Sequence, residues 1–174
     1  PKNWDEFVAA APALEAKGII PLAVGNQPWQ TAGAFQVLMV ALAGKDLFLK
    51  VYKDKDAEAA GGADVGRIFK AADDARKMAA KSTVQDWNQA TNLVITGKAG
   101  GQIMGDWAKG EFLAAGKKPG VDFLCAPAPG NGYILNSDSF TFFKVKGADR
   151  LEGQKVLASE IMSPAFQETF NLAK

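Results

Sequence analysis

Residues 88–116 read NQATNLVITGKAGGQIMGDWAKGEFLAAG, and the punctuation of this stretch decides the fold class. Asn88 is a candidate N-cap for a helix through Thr96, and Gly97 ends it. Residues 102–105 predict a short strand. Asp106 then opens a second helix through Ala115, which Gly116 stops. Upstream, residues 67–81 predict a helix with Ile68, Ala71, Ala72, Ala75, Met78 and Ala79 facing inward. Residues 53–66 are polar and rich in Ala, Gly and Asp, and predict a loop. Residues 47–52 fit a helix end or a short extended piece. Residues 29–43 are apolar nearly all round and predict a buried helix closed by Gly44. Residues 19–24 predict a strand or extended segment, and Pro21 argues for a sheet edge. At the start, Asn3 and Glu6 have the spacing of a capping box, and Phe7, Ala10, Ala11 and Leu14 follow at helical spacing. Pro12 predicts a kink or early break, and Gly18 ends that helix.

Downstream, residues 122–126 predict a strand, and Pro127, Pro129, Gly130, Asn131 and Gly132 a turn-rich loop. Residues 133–135 and 140–145 predict strands, and residues 151–162 and 164–172 two final helices. Helices alternating with short strands make an α/β domain, a short central sheet flanked by helices.

Composition narrows the function. The 174 residues are 48% hydrophobic and 22% charged, which is globular composition. Twenty basic residues face 19 acidic ones, and no basic cluster extends beyond Lys117-Lys118, so a nucleic-acid partner is not expected. Histidine is absent, which removes His-based acid/base catalysis, His-activated nucleophiles and the common zinc sites. One cysteine, Cys125, cannot form an internal disulfide or a cysteine metal cluster. No uninterrupted apolar run approaches the ~18 residues of a membrane span. The chain begins Pro1-Lys2-Asn3-Trp4 and stops directly after a helical pattern, which predicts a piece of a longer polypeptide in preference to a mature or cleaved product.

No catalytic motif emerges, and neither a cofactor nor a metal site is expected. Gly97-Lys98-Ala99-Gly100-Gly101 lacks the spacing of a phosphate loop and reads as a helix-to-strand turn. Asp54, Asp56, Glu58 and Asp64 lack calcium-loop spacing and read as a solvated face. The tryptophans are more informative. Trp29, Trp87 and Trp107 stand among Gln, Asp, Asn and Lys at the ends of elements. Such a frame suits a sugar, whose apolar face packs on an indole while its hydroxyls meet side-chain donors and acceptors. Ordinary packing is the alternative for each ring. Asp138, in Asn136-Ser137-Asp138-Ser139, is a polar cluster leading into an apolar run, or a strand-start cap.

Several runs resemble the sugar-binding proteins of bacterial ABC importers. Pro1-Lys2-Asn3-Trp4-Asp5-Glu6-Phe7 and Gly105-Asp106-Trp107 resemble the maltose-binding-protein superfamily at large. Trp87-Asn88-Gln89-Ala90-Thr91, the extension of the latter through Ala108-Lys109-Gly110-Glu111-Phe112, Pro127-Ala128-Pro129-Gly130 and Ser137-Asp138-Ser139-Phe140 resemble its glucose/mannose-type branch. That resemblance implies a periplasmic protein of type II fold, with two α/β lobes about a sugar cleft. It implies that residues 1–135 are most of the carboxyl-terminal lobe. Residues 136–174 are then a crossing strand and helices returning to an amino-terminal lobe outside this sequence. The implied partners are a glucose-like monosaccharide, that lobe, and the membrane subunits of the permease.

By the same resemblance, Trp87 and Trp107 fall on cleft-lining tryptophans and Asp138 on an aspartate that binds sugar hydroxyls. Lys109 and Asn88 are adjacent candidates. Val24-Gly25-Asn26 departs from the histidine and paired glycines that often precede Gln27-Pro28-Trp29-Gln30 in the family, and no role is carried over there. Cys125 matches a cysteine that relatives pair with one near the carboxyl terminus; a free buried thiol is the alternative. Two other functions stay open. A glycoside-processing enzyme would need a carboxyl pair roughly 5–9.5 Å apart, for which Asp106 and Asp138 are the only nominees. A non-catalytic interaction domain would use the tryptophans as core.

Overall fold

A computed structural model describes residues 1–127 and 132–172, and the chain divides into two units, Pro1–Ile134 and Leu135–Lys174. The first unit opens with α1, Trp4–Glu15. Asn3 Oδ1 accepts the Glu6 N–H at 2.9 Å, and Glu6 Oε2 accepts the Lys2 N–H at 2.6 Å. Pro12 does not break the helix, and its carbonyl still accepts the Ala16 N–H at 2.9 Å.

Helix α2, Pro28–Tyr52, is two helices in line. Gly44, at φ 83° and ψ 170°, interrupts it where the sequence predicts a stop, and residues 45–52 resume as helix. By length and composition α2 is apolar enough to cross a membrane, with mean hydropathy 1.5 in its best window, although no uninterrupted apolar run is. It breaks at Gly44 and buries Gln30, Leu38, Met39 and Val40, while the rest of residues 29–43 is half-buried or exposed, so the predicted buried helix is only partly buried.

The predicted loop at 53–66 is instead α3, Ala57–Gly61, and the first turn of α4, Ala63–Met78. Alanine is the strongest helix former, and the Asp56 carboxylate caps α3 by accepting the Ala59 N–H at 3.0 Å. Val65, Ile68, Ala71, Ala75 and Met78 of α4 are buried in one cluster with Trp4, Leu22, Leu38 and Met39. The outer face of α4 carries ion pairs. Lys77 and Arg76 both donate to Asp73 and hold its carboxyl below the ordinary 3.8.

Helix α5, Trp87–Ile95, is capped by Asp86 and not by the expected Asn88. The capping box spans 86–89, where Gln89 Oε1 accepts the N–H groups of Gln85 and Asp86 at 3.0 Å each. Helix α6, Ala108–Ala114, starts later than expected, and Asp106 contributes its carbonyl, accepting the Lys109 N–H at 3.0 Å.

The central sheet of the expected α/β fold is reduced to isolated parallel bridges, so the chain is mostly helical. Ile20 pairs with Ala99, Ala23 with Gln102, and Gly25 with Val84. Segment 20–25 thus pairs with two neighbours and is not an edge strand. Proline has no N–H to donate, the chain bends at Pro21-Leu22, and the Ser82 hydroxyl takes both backbone groups of Val24, at 3.0 and 2.8 Å. These features prevent a continuous ladder. Residues 122–126 make one bridge, Pro119 to Phe123, in place of a strand. The predicted turn residues Pro129, Gly130 and Asn131 lie outside the described residues.

In the second unit, residues 133–135 of the junction and 140–145 form no strand pairing. Helices α7, Ala148–Ile161, and α8, Pro164–Leu172, pack on each other. No described residue of this unit is buried.

Candidate functional site

Because the three extended segments of the first unit are parallel, their carboxyl ends share one edge. Each segment leads into a helix there: 20–25 into α2, the bridge at Val84 into α5, and 99–102 into α6. In open parallel α/β arrangements ligands bind outside the carboxyl ends of the strands. Three of the four tryptophans stand at these entries. Trp29 is the second residue of α2, Trp87 the first of α5, and Trp107 immediately precedes α6. Trp29 is 47% exposed, and Trp87 and Trp107 are half-buried, whereas Trp4 is 7% exposed and belongs to the core.

Polar side chains tie the entries together. Gln27 Nε2 donates to Asp86 Oδ1 at 2.7 Å, and Gln27 Oε1 accepts from Trp29 Nε1 at 2.8 Å and Gln30 Nε2 at 3.0 Å. Buried Gln30 accepts the Gly25 N–H at 3.1 Å and donates to the Gln85 carbonyl at 3.2 Å. A Cβ at Gly25 would lie 2.5 Å from Gln30 Oε1, so this close approach requires glycine. Gln102 Nε2 donates to the Trp87 carbonyl at 3.0 Å. The Trp107 indole folds back over Gly105 closely enough that a Cβ there would sit 2.1 Å from the ring.

Helices α5 and α6 pack together; Trp87 and Asn88 open α5, and Trp107 and Lys109 stand at the start of α6. Asn88 and Lys109 are exposed, and Asn88 Oδ1 accepts the Gln89 N–H at 3.0 Å. Asp138 is exposed in a stretch of the second unit without regular secondary structure. The structure places Trp29 on this edge with the other two tryptophans and adds Gln27, Gln30, Asp86 and Gln102. Trp29, in Gln27-Pro28-Trp29-Gln30, is already marked in the sequence by the same polar frame as the other two tryptophan motifs. Gln102 is not so marked, because its partners are fixed only by the bridging of segment 99–102.

A cavity of about 400 Å³ lies between α2 and α4, lined in part by Asn26, Thr31, Phe35, Arg76 and Thr83; none of the five predicted residues lines it. Among the described residues no cluster of acidic or cysteine side chains could hold a metal ion. Cys125 is free and exposed, which excludes the alternative of a buried free thiol.

Parallel segments thus gather indoles and amides at their carboxyl ends. Residues 1–165 match the family described as bacterial extracellular solute-binding protein, and the chain belongs to that family. A "Probable sugar-binding periplasmic protein" of Brucella suis biovar 1 (strain 1330) is 45% identical over 177 residues, covering 100% of this chain and 42% of the relative. A protein of the same description from Rhizobium meliloti (strain 1021) is 42% identical over 177 residues with the same coverage. An "Uncharacterized ABC transporter extracellular-binding protein PH1214" of Pyrococcus horikoshii is 33% identical over 178 residues, 99% of this chain and 39% of the relative. The chain therefore spans about two-fifths of the length of these curated relatives.

Proposed function

We propose that this chain is the carboxyl-terminal lobe of a type II, glucose/mannose-type sugar-binding protein that serves an ABC importer in the periplasm. The observation that carries the proposal is the placing of Trp29, Trp87 and Trp107 at one carboxyl edge. The printed descriptions of the Brucella and Rhizobium relatives support a sugar as ligand. Residues 1–135 form the lobe, and residues 136–174 cross toward an amino-terminal lobe of the same polypeptide. The break between the units at Ile134 and Leu135 supports that division.

A monosaccharide in the interlobe cleft lays its apolar face on Trp87 and Trp107. Each stack contributes roughly 0.5–1.5 kcal/mol beyond area burial. Asp138 accepts hydroxyl protons in charge-assisted hydrogen bonds, stronger than neutral ones, while Lys109 and Asn88 donate. Hinge closure traps the sugar and presents the closed protein to the permease membrane subunits. No bond is made or broken, so the lobe needs no catalytic residue and no cofactor. The isolated chain holds half of the site and is expected to bind more weakly than millimolar.

Intrinsic tryptophan fluorescence of the longer polypeptide, titrated with glucose, galactose, mannose, xylose and maltose, tests the proposal. A saturable change with one monosaccharide, lost in Trp107→Ala and Asp138→Ala, is the expected result. A folded protein that responds to none of these sugars would overturn it.

A further inference from the structure

Two glutamine amides converge on adjacent residues at the start of α5. Gln27 reaches the Asp86 carboxylate at 2.7 Å from the α2 side, and Gln102 reaches the Trp87 carbonyl at 3.0 Å from segment 99–102. Gln27 also accepts the Trp29 indole N–H at 2.8 Å. Gln102 is oriented by Thr91, which has no exposed surface. The Thr91 hydroxyl lies 2.7 Å from Gln102 Oε1 and 2.9 Å from the Trp87 carbonyl. One hydroxyl proton serves one acceptor fully. Donation along the shorter contact to Gln102 leaves the Trp87 carbonyl to the Gln102 N–H. The first turn of α5 is thereby clamped from both flanking segments, one carrying Trp29 and the other leading to Trp107.

We infer that Gln27 and Gln102 are positioning residues of the sugar edge: without touching the ligand, they set the spacing of Trp29 and Trp107 from Trp87. This rests on the sugar-binding function proposed above. A helix N-terminus held only by its capping box can tilt about its packed face. Two amide bonds from opposite neighbours remove that freedom, and a rigid pair of ring faces discriminates between hydroxyl epimers better than a mobile pair.

The test uses Gln27→Met and Gln102→Met, which keep side-chain volume and remove the amide, together with Thr91→Val and Thr91→Ser. Sugar affinity, melting temperature and the indole N–H resonances without ligand are measured in the longer polypeptide. Gln27→Met removes three side-chain contacts and Gln102→Met two, all at most part-buried; each Met variant and Thr91→Val should weaken affinity about five- to tenfold, the size of roughly one net hydrogen bond. The preference among glucose, galactose and mannose should narrow, and the ligand-free Trp87 resonance should shift. Thr91→Ser keeps the hydroxyl and should restore affinity and preference. Unchanged affinity in both Met variants, with the unaltered protein binding normally, overturns the inference and leaves the functional proposal intact. Weakening that merely follows a melting point near the assay temperature makes the amides structural and also overturns it. If the unaltered protein binds no sugar, the functional proposal fails and the sugar-positioning role fails with it; a shifted Trp87 resonance would then report only a structural clamp.

Discussion

Gly105→Ala isolates the placement of the Trp107 ring from the rest of the lobe. A Cβ at Gly105 would lie 2.1, 2.3 and 2.5 Å from Cζ3, Cη2 and Cε3 of that indole. Carbon atoms rest at about 3.5–4.0 Å, so the ring must withdraw by roughly 1.5 Å. Gly105 is not among the positive-φ residues, so alanine imposes no backbone strain there. Displacing the indole toward an off-rotamer position costs about 0.5–1.5 kcal/mol. Replacing glycine stabilises by about 0.4–1 kcal/mol through the unfolded chain. The two nearly cancel, and the melting temperature should move little. Binding should not be spared: loss of one stack, about 0.5–1.5 kcal/mol, weakens affinity roughly two- to thirteenfold. Fluorescence titration of the longer polypeptide gives the affinity, and far-UV circular dichroism the melting point. An unchanged affinity would refute the placement of Trp107 on the ligand side. A destabilisation above about 3 kcal/mol would mean that the ring is core.

Ile68→Ala, at a position 1% exposed in the main cluster, should cost about 2–5 kcal/mol in urea unfolding with an unchanged slope. Gly44→Ala should destabilise by about 1–3 kcal/mol because φ 83°, ψ 170° is essentially a glycine conformation, whereas Gly33→Ala, mid-helix with open space around it, should stabilise by roughly 0.5–1 kcal/mol. Asp73 titrates below 3.8 because Lys77 and Arg76 donate to it, so its contribution is complete above that pH and is lost as pH falls through the folded value. Lys77 titrates above 10.5 because Asp73 accepts from it, and its contribution disappears as pH rises through the folded value; Asp73→Asn should flatten both limbs in a stability–pH profile. Amide exchange should be slow across α4 and fast across α7 and α8 in this chain, and protection of α7 equal to that of α4 would contradict the exposure of the second unit.

The helices were legible wherever a cap or stop was written in local chemistry. Asn3 with Glu6, the Gly44 break and the Pro164 start are short-range signals, and each is found in the structure. Errors arose where two local signals competed. Asp86 and Asn88 are both good caps, and Gln89 decides between them by reaching back to the backbone at 85 and 86. Residues 53–66 were misread because alanine and aspartate suit a capped helix as well as a polar loop. Segment 19–24 reads as extended, but residues 97–101 read as a turn before a strand at 102–105, and no strand is predicted at Val84; the reduction to single bridges depends on what lies beside each segment, such as the Ser82 hydroxyl on Val24. Periodicity within one segment carries no such information. For the site, the polar frames around Trp87 and Trp107 were visible. The common edge was not, since it follows from parallel pairing across 60–80 positions of sequence.

The second unit sets a physical limit on what this chain does alone. Ordering each residue costs about 1–2 kcal/mol of backbone entropy, and apolar burial is the main term that offsets it. Residues 135–172 bury no side chain fully, and Val156, Leu157, Met162 and Leu172 are 52–75% exposed. This stretch therefore depends on apolar surface from outside itself, in keeping with a chain that spans about two-fifths of its relatives. Asp138 belongs to the same stretch, so we expect the proposed carboxylate for the sugar to be held in place only when that surface is present. Trp29, Trp87 and Trp107, by contrast, rise from a unit with its own core. Sugar affinity in the isolated chain should then retain the stacking contribution and lose the charge-assisted one. Asp138→Ala should consequently weaken binding in the longer polypeptide and have no effect in the isolated chain.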